Sequence, residues 1–284
     1  MSSNSGKLWI VATPLGNPGD LSPRARDILG LADIILAEDT RRSGLLLAAC
    51  GITPGRFISL HDHNEKGRVA GILEELRNGT QAALVSDAGT PLISDPGYQL
   101  VKACREAGIA VSPVPGPSAP LAALSASGLP PLPFAFLGFP PRGKGDIRKF
   151  FTPYAALECT LVFFERKDRL ASTLALAHEV LGERDGCIAR EITKTFEEFI
   201  PFRLDAGTET TLREREFLGE ITVVLGPPAS VTATPEEDIR ELAAEQKRLA
   251  PEAKPREIAR RVQRLAVGWN VDAVYALMRR PDGD

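Results

Sequence analysis

The sequence predicts an α/β protein with two α/β units followed by a small helical, helix-turn-helix-like segment. Three observations point there. Short apolar runs of strand length alternate with stretches of helical periodicity, which indicates mostly parallel sheets. Glycine- and proline-rich loops follow several of the runs, where open α/β sheets bind ligands. From residue 229 onward the strand-like runs stop, and basic helical segments take over. At 284 residues the chain is long for a single core. We therefore expect units at 1–129, 130–228 and 229–284, with Gly128-Leu129-Pro130-Pro131-Leu132-Pro133 marking the first boundary.

Leu8 to Ala12 reads as a buried strand. Thr13 to Leu21 is a Gly/Pro loop, and Ser22-Pro23 opens a helix with Ser as N-cap and Pro at the first helical position. Ile34 to Ala37 is a second strand, after which Thr40 is expected to cap a helix through Leu47. Asn64 is expected to cap the next helix, whose Val69, Ile72, Leu73 and Leu76 have helical spacing. A strand at 82–86 runs into Ser86-Asp87-Ala88-Gly89-Thr90-Pro91-Leu92-Ile93-Ser94-Asp95-Pro96-Gly97, and a helix at 98–107 follows. The strand at 109–114 ends in Pro115-Gly116-Pro117-Ser118-Ala119, with a helix starting near Ser118. In the second unit, strands are expected at 134–139, 161–164, 187–190 and 221–225, and helices at 144–154 and 169–181. Three tail helices are expected at 236–249, 255–267 and 271–278, with Gly268-Trp269-Asn270 as a turn.

Composition excludes several classes. There is no apolar run long enough for a membrane span. The polar Met1 to Lys7 does not read as a signal peptide. Four scattered cysteines without C-x-x-C spacing fit free thiols in a reducing cytoplasm rather than zinc or disulfides. The net charge of −3 argues against bulk electrostatic binding of nucleic acid. The tail differs: from Lys247 onward nine basic residues face five acids.

The long loop at 86–97 is too specified for a connector, and its small, polar and backbone-bending residues suit a ligand-binding turn. A dinucleotide reading of Thr13 to Asp20 fails. Gly16 and Gly19 lack the leading glycine of G-x-G-x-x-G, although Asp39 sits about 20 residues further on. No G-K-[ST] phosphate loop is present. His61 and His63 share one side of an extended segment but lack a clear third partner, so no metal is expected.

Val11-Ala12-Thr13-Pro14-Leu15-Gly16-Asn17, Ala37-Glu38-Asp39-Thr40-Arg41, the 86–97 loop, Val114 to Ala119 and Arg190-Glu191-Ile192-Thr193-Lys194 occur in that order. Together with His61-Asp62-His63-Asn64-Glu65 they resemble the tetrapyrrole methylase superfamily. Within it they resemble the branch that methylates a cytidine ribose 2′-hydroxyl in small-subunit (16S) ribosomal RNA. The resemblance covers nearly the whole chain. It implies a cleft between two α/β domains, S-adenosyl-L-methionine as methyl donor, a homodimer, and 16S rRNA or the assembled 30S subunit as partner. It also implies that Leu15, Asp87, Thr90, Ser118 and Ala119 line the cofactor site, joined from the second domain by Phe164, Ala189 and Val223. The missing phosphate fingerprints agree, because a sulfonium methyl donor needs no phosphate cradle.

Attack by a ribose hydroxyl gains from a base or from a cation that stabilises the alkoxide. Lys194, Asp39 and Glu191 lead the candidates, with Arg41, His63, Glu65 and Asp95 behind them. Asp39 would equally serve as a helix cap, and Glu191 with Lys194 as a surface pair. Arg142, Lys144, Arg148 and Lys149, with Arg260, Arg261 and Arg264 in the tail, are candidate RNA contacts. One departure concerns Arg166-Lys167-Asp168, which stands where the family commonly carries Ser-Pro-His; Arg166, Lys167 and Arg169 could add phosphate contacts. Two alternatives remain in view: a methylase of a tetrapyrrole or other small substrate, and a non-catalytic RNA-binding assembly factor. The basic tail favours RNA over the first, and the intact cofactor loops speak against the second.

Overall fold

A computed structural model describes residues 6–228 and 234–280. Residues 1–5 of the polar Met1 to Lys7 stretch, the first tail residues 229–233 and residues 281–284 lie outside the described residues.

The first unit runs β1 (Lys7–Val11), α1 (Pro23–Leu31), β2 (Ile34–Ala37), α2 (Thr40–Ala49), β3 (Arg56–Ser59), α3 (Glu65–Arg77), β4 (Gln81–Val85), α4 (Tyr98–Glu106), β5 (Ala110–Val114) and α5 (Ala119–Ala126). Its five strands form a parallel sheet in the order β3-β2-β4-β1-β5. Strand alternation sends Ile35, Ala37, Ala83 and Val85 to one face, under Ala25 and Leu29 of α1 and Leu47 of α2. Ile34, Leu36, Ala82 and Leu84 go to the other, under Ile72 and Leu76 of α3 and Leu100 and Cys104 of α4. Both faces are covered, which is why these strands read as continuous apolar runs. The edge strand β3 is the exception. Its Arg-Phe-Ile-Ser is half exposed and too polar to stand out in the sequence.

The caps refine the expected helix starts. Ser22 Oγ accepts the Ala25 N–H at 3.1 Å, as Ser-Pro predicts. For α2 the cap is Asp39 rather than Thr40: its carboxylate accepts the N–H groups of Arg41 and Arg42 at 2.9 and 3.3 Å. A charged acceptor at a helix N-terminus outcompetes a hydroxyl. Asn64 precedes α3 but does not cap it; its side chain instead accepts from His61 N–H and donates to Ser59 O.

The second unit runs β6 (Phe134–Phe136), α6 (Lys144–Phe151), β7 (Thr160–Arg166), α7 (Leu170–Leu181), β8 (Arg184–Arg190), β9 (Glu198–Leu204), α8 (Thr208–Arg213) and β10 (Glu220–Leu225). Its sheet order is β6-β7-β10-β8-β9, and only β6 and β7 are parallel. This corrects the expectation of a second mostly parallel sheet. Strand β9 and helix α8 do not stand out in the sequence, and the β8–β9 pair turns back without a crossover helix. One face packs α6, α7 and α8 around Phe151, Phe163, Leu174, Leu212 and Val223. The other receives α5, whose Ala123 and Leu124 meet Val162, Ala189 and Val224. Helix α5 is thus continuous with the first unit in sequence but buries its apolar side on the second sheet. Arg184 is fully buried and donates to the carbonyls of Tyr154, Ala155, Cys159 and Gly226, tying the end of α6 to β8.

The tail helices are α9 (Glu236–Leu249), α10 (Pro255–Gln263) and α11 (Val271–Met278). They enclose a small core of Ile239, Ile258, Ala259, Val262, Val274 and Leu277. Gly268 takes a positive φ of 75° in the turn, and Asn270 caps α11 through the Ala273 N–H at 2.7 Å.

Candidate active site

Three loops leave the carboxyl ends of β4, β1 and β5, which are adjacent in the first sheet. Backbone and hydroxyl bonds tie them into one wall. Thr13 and Gly89 exchange N–H···O bonds at 2.8 and 3.0 Å. Thr90 Oγ1 donates to Pro117 O at 3.0 Å. The buried Ser86 Oγ donates back to Gly89 O at 3.2 Å. Gly89 and Gly97 have φ of 81° and 120°. At Gly97 an added Cβ would also run into the Leu84 side chain, so both the turn and the packing require glycine there. Leu92 and Ser94 hold positive φ without being glycine, a strain that the cross-tied loop must sustain.

A cavity of about 500 Å³ lies between this wall and the second sheet. Leu15, Asp87, Thr90, Ser118 and Ala119 line it from the first unit, and Phe164 from the second, as expected. Val223 does not line it. Thr222 of β10 is on the lining instead, paired across the sheet with Phe164 and Ala189, while Val223 points into the core on the opposite face. A one-residue register difference exchanges the faces of a strand. Ala189 is on the cleft side but is covered completely by the α5 side of the core.

Asp87 accepts one charged bond, from Arg42 Nη1 to Oδ2 at 2.8 Å. Its Oδ1 is buried without a protein partner. Asp95, also on the cavity wall, has its carboxyl pushed up to about 7. Burial is the main cause. The negative charge of Glu38 adds to it, against a hydrogen bond from Ser86, with smaller contributions from Asp87 and Asp62. These acids sit on the loops after β2, β3 and β4, so the effect belongs to the assembled sheet. Glu38 is raised too, by burial first and then by Asp87 and Asp62.

The leading catalytic candidates are placed differently. Asp39 lies outside the cavity lining and is occupied as the α2 cap, which holds its carboxyl below the usual range through the Arg41 and Arg42 amides. Lys194 Nζ bridges Glu191 Oε1 and Glu220 Oε2, both at 3.0 Å. Burial works against the lysine cation, but the bonds to Glu220 and Glu191 outweigh it and raise its pKa. Burial likewise opposes the Glu191 carboxylate, and the bonds from Lys194 and the Glu220 N–H outweigh it. The triad sits behind the cavity, with Glu220 alone on the lining. The Lys194 stem also lies against Gly16, and Thr193 Oγ1 accepts the Asn17 N–H at 3.2 Å, so this segment links the two units. Of the remaining candidates, Arg41 lies against Asp39 on the surface. Glu65 accepts the Leu100 N–H at 3.0 Å as a cap for α4, and His63 is exposed.

The basic residues spread over two surfaces. On and before α6, Arg142 and Lys144 are exposed, Arg148 pairs with Glu179 at 2.6 Å and Lys149 with Asp146 at 3.9 Å. On α10 and at its C-terminal end, Arg260 and Arg264 are exposed, and Arg261 pairs with Glu257. Among the described residues no His, Cys, Asp or Glu cluster has a metal-binding arrangement, and no helix is long and apolar enough to cross a membrane.

Residues 7–207 match the family model of tetrapyrrole (corrin/porphyrin) methylases. A ribosomal RNA small subunit methyltransferase I of Micromonospora olivasterospora is 41% identical over 98% of this chain and 89% of its own. Its counterpart in Escherichia coli O157:H7 is 49% identical over 69% of this chain and 68% of its own. Among solved structures, a uroporphyrin-III C-methyl transferase of Thermus thermophilus complexed with S-adenyl homocysteine shares the fold, with a TM-score of 0.56 at 22% identity, covering 78% of this chain and 97% of its own. A diphthine synthase does so with a TM-score of 0.62 at 14% identity over 78% of this chain and 90% of its own. The chain therefore belongs to the tetrapyrrole methylase family, among the relatives named ribosomal RNA small subunit methyltransferase I.

Proposed function

We propose that the protein transfers a methyl group from S-adenosyl-L-methionine to the ribose 2′-hydroxyl of a cytidine in small-subunit ribosomal RNA, as a homodimer in the cytoplasm. The observation that carries this reading is the cleft itself. A wall of three cross-tied loops, carrying the perturbed Asp95, faces a second wall across about 500 Å³, in a chain 41–49% identical to named ribosomal RNA methyltransferases.

The residues fit the methyl donor. The buried, unpartnered Asp87 Oδ1 matches a ligand N–H or O–H donor. Leu15 and Phe164 supply apolar walls, and the loop backbone at Thr90, Ser118 and Ala119 supplies polar partners. When bound, the donor brings a methyl group already activated on a positive sulfur. The chain's own part is then positioning and proton transfer. Asp95, near neutral in its pKa, takes the proton of the attacking hydroxyl. Lys194, fixed as a cation between two carboxylates, positions Glu220 and the interdomain segment. The exposed arginines of α10 and the basic residues around α6 supply distant phosphate contacts.

The test is transfer of labelled methyl to small-subunit RNA, or to 30S particles from a strain lacking the modification. Label on a ribose oxygen is the expected result. Bound S-adenosylmethionine with no transfer to either substrate, or label on a base, overturns the reading.

A further inference from the structure

The second wall of the cleft carries three largely exposed side chains, Phe139, Arg166 and Lys167. Phe139 is 55% exposed at the cavity rim, its ring centroid 5.1 Å from that of Phe164 and tilted by 50°. Arg166 and Lys167, at the end of β7, are exposed on the same lining. The Arg166 side chain pairs with Asp168 at 3.2 Å across two well-exposed side chains, which is a weak pair.

Two features give these residues a direction. The first is charge. Arg166 and Lys167 are the two basic side chains on a lining that also presents Asp87, Asp95, Glu165, Asp168 and Glu220. On a lining with this acidic balance, the pair is where cationic side chains meet an entering polyanion. The second is rigidity. Phe139 is flanked by fixed backbone: Gly138 O accepts the Phe164 N–H at 2.9 Å, and Arg169 holds the carbonyls of Pro140 and Pro141 at 3.0 and 2.6 Å. Arg169 also pairs with the buried Glu165 at 3.3 Å, so of the three basic residues in this stretch it is a clamp and the other two are free to meet a ligand. The rim adjoins the proton acceptor's loop. Ser94 Oγ lies 3.3 Å from where a Cβ on Gly138 would stand.

We propose that Phe139, Arg166 and Lys167 form the acceptor-nucleotide subsite: Phe139 stacks on the base of the nucleotide to be methylated, and Arg166 and Lys167 hold the phosphates that flank it. This rests on the RNA-methylating reading above. An aromatic shelf takes any splayed-out base because every base has a π-face, and guanidinium and ammonium groups fix the backbone beside it. The competing anion is the carboxylate of the methyl donor, and the experiment separates the two.

The measurement uses the full-length protein, 30S particles lacking the modification and labelled S-adenosylmethionine. Phe139→Leu raises KM for the particle about tenfold, while Phe139→Trp stays within about twofold of wild type. The double variant Arg166→Ala/Lys167→Ala raises the same KM and flattens the log–log salt dependence of particle binding by about 1.5. In all of them S-adenosylmethionine affinity by calorimetry and the melting temperature stay at wild-type values. Unchanged particle KM in Phe139→Leu overturns the shelf. Weakened S-adenosylmethionine binding with unchanged particle KM in the double variant overturns the phosphate contact in favour of the donor's carboxylate. Failure of the underlying reading shows separately, as wild-type protein that binds S-adenosylmethionine and methylates no RNA.

Discussion

The two walls of the cleft are built by different physics. The first is made of backbone. Its loops are joined by main-chain bonds between Thr13 and Gly89 and hydroxyl bonds from Ser86 and Thr90, and its turns depend on glycines at 89 and 97. The second is made of charged side chains held in place by ion pairs. Glu165 is fully buried and bonded to Thr173 Oγ1, the Arg166 N–H and Arg169, and Lys194 is locked between Glu191 and Glu220. A backbone wall suits a ligand that is the same in every turnover. A side-chain wall can be re-specified by substitution, which suits the part of the site that meets the variable substrate.

The comparison is tested most severely at Asp95, the acid that stands on the backbone wall yet answers to charges from neighbouring loops. Asp95→Asn should lower kcat by about 100-fold or more while sparing S-adenosylmethionine binding. In the wild type, kcat/KM should rise as pH increases through about 7, since the base works deprotonated, and the variant should lose that limb. The sign of the stability change is opposite. A carboxyl raised on folding makes the native state bind more protons than the unfolded chain, so Asp95 favours folding less as pH rises from its ordinary value near 4 through about 7. Asp95→Asn should therefore melt at a higher temperature than wild type at pH 8, and a lower one would argue against the raised pKa.

On the second wall, Glu165→Ala strands Arg169 and should cost about 3 kcal/mol in urea unfolding. A loss below about 1 kcal/mol would mean that the pair behaves as a surface bridge. Gly97→Ala probes the first wall. With a φ of 120° and Leu84 in the way, it should cost about 1–3 kcal/mol, and it should weaken S-adenosylmethionine binding as the 86–97 loop shifts. The smallest change is Thr90→Val, which removes only the bond to Pro117 and should cost about 1 kcal/mol with a few-fold loss of S-adenosylmethionine affinity by calorimetry. Should Thr90→Val prove as harmful as Glu165→Ala, the walls would not differ in the way described.

The backbone wall was the legible part. Its glycines, prolines and hydroxyls lie within a few residues of one another, and local turn chemistry announces them. The family resemblance then implied that Leu15, Asp87, Thr90, Ser118 and Ala119 face the cleft, and these five residues line the cavity. Asp39 is also local, and its capping role was visible as an alternative to catalysis. Thr222 was missed because a strand's two faces differ by a single residue, and only pairing with β7 and β8 says which is which. Phe139 was read as the end of a strand at 134–139, whereas β6 stops at Phe136 and leaves Phe139 on the rim of the cleft.

The amino-acid sequence by itself determined the parallel first sheet, the ligand loops at its carboxyl edge and the three tail helices, because apolar periodicity and turn residues act over a few positions. Tertiary structure decided the mixed second sheet, the covering of Ala189, the pairing that keeps Lys194 a cation and the raised pKa of Asp95. Each of these depends on groups brought together from distant segments: Glu191 and Glu220 around Lys194, and Glu38, Asp62 and Asp87 around Asp95. Coulomb interactions and desolvation act through space, and the spacing along the chain does not encode them.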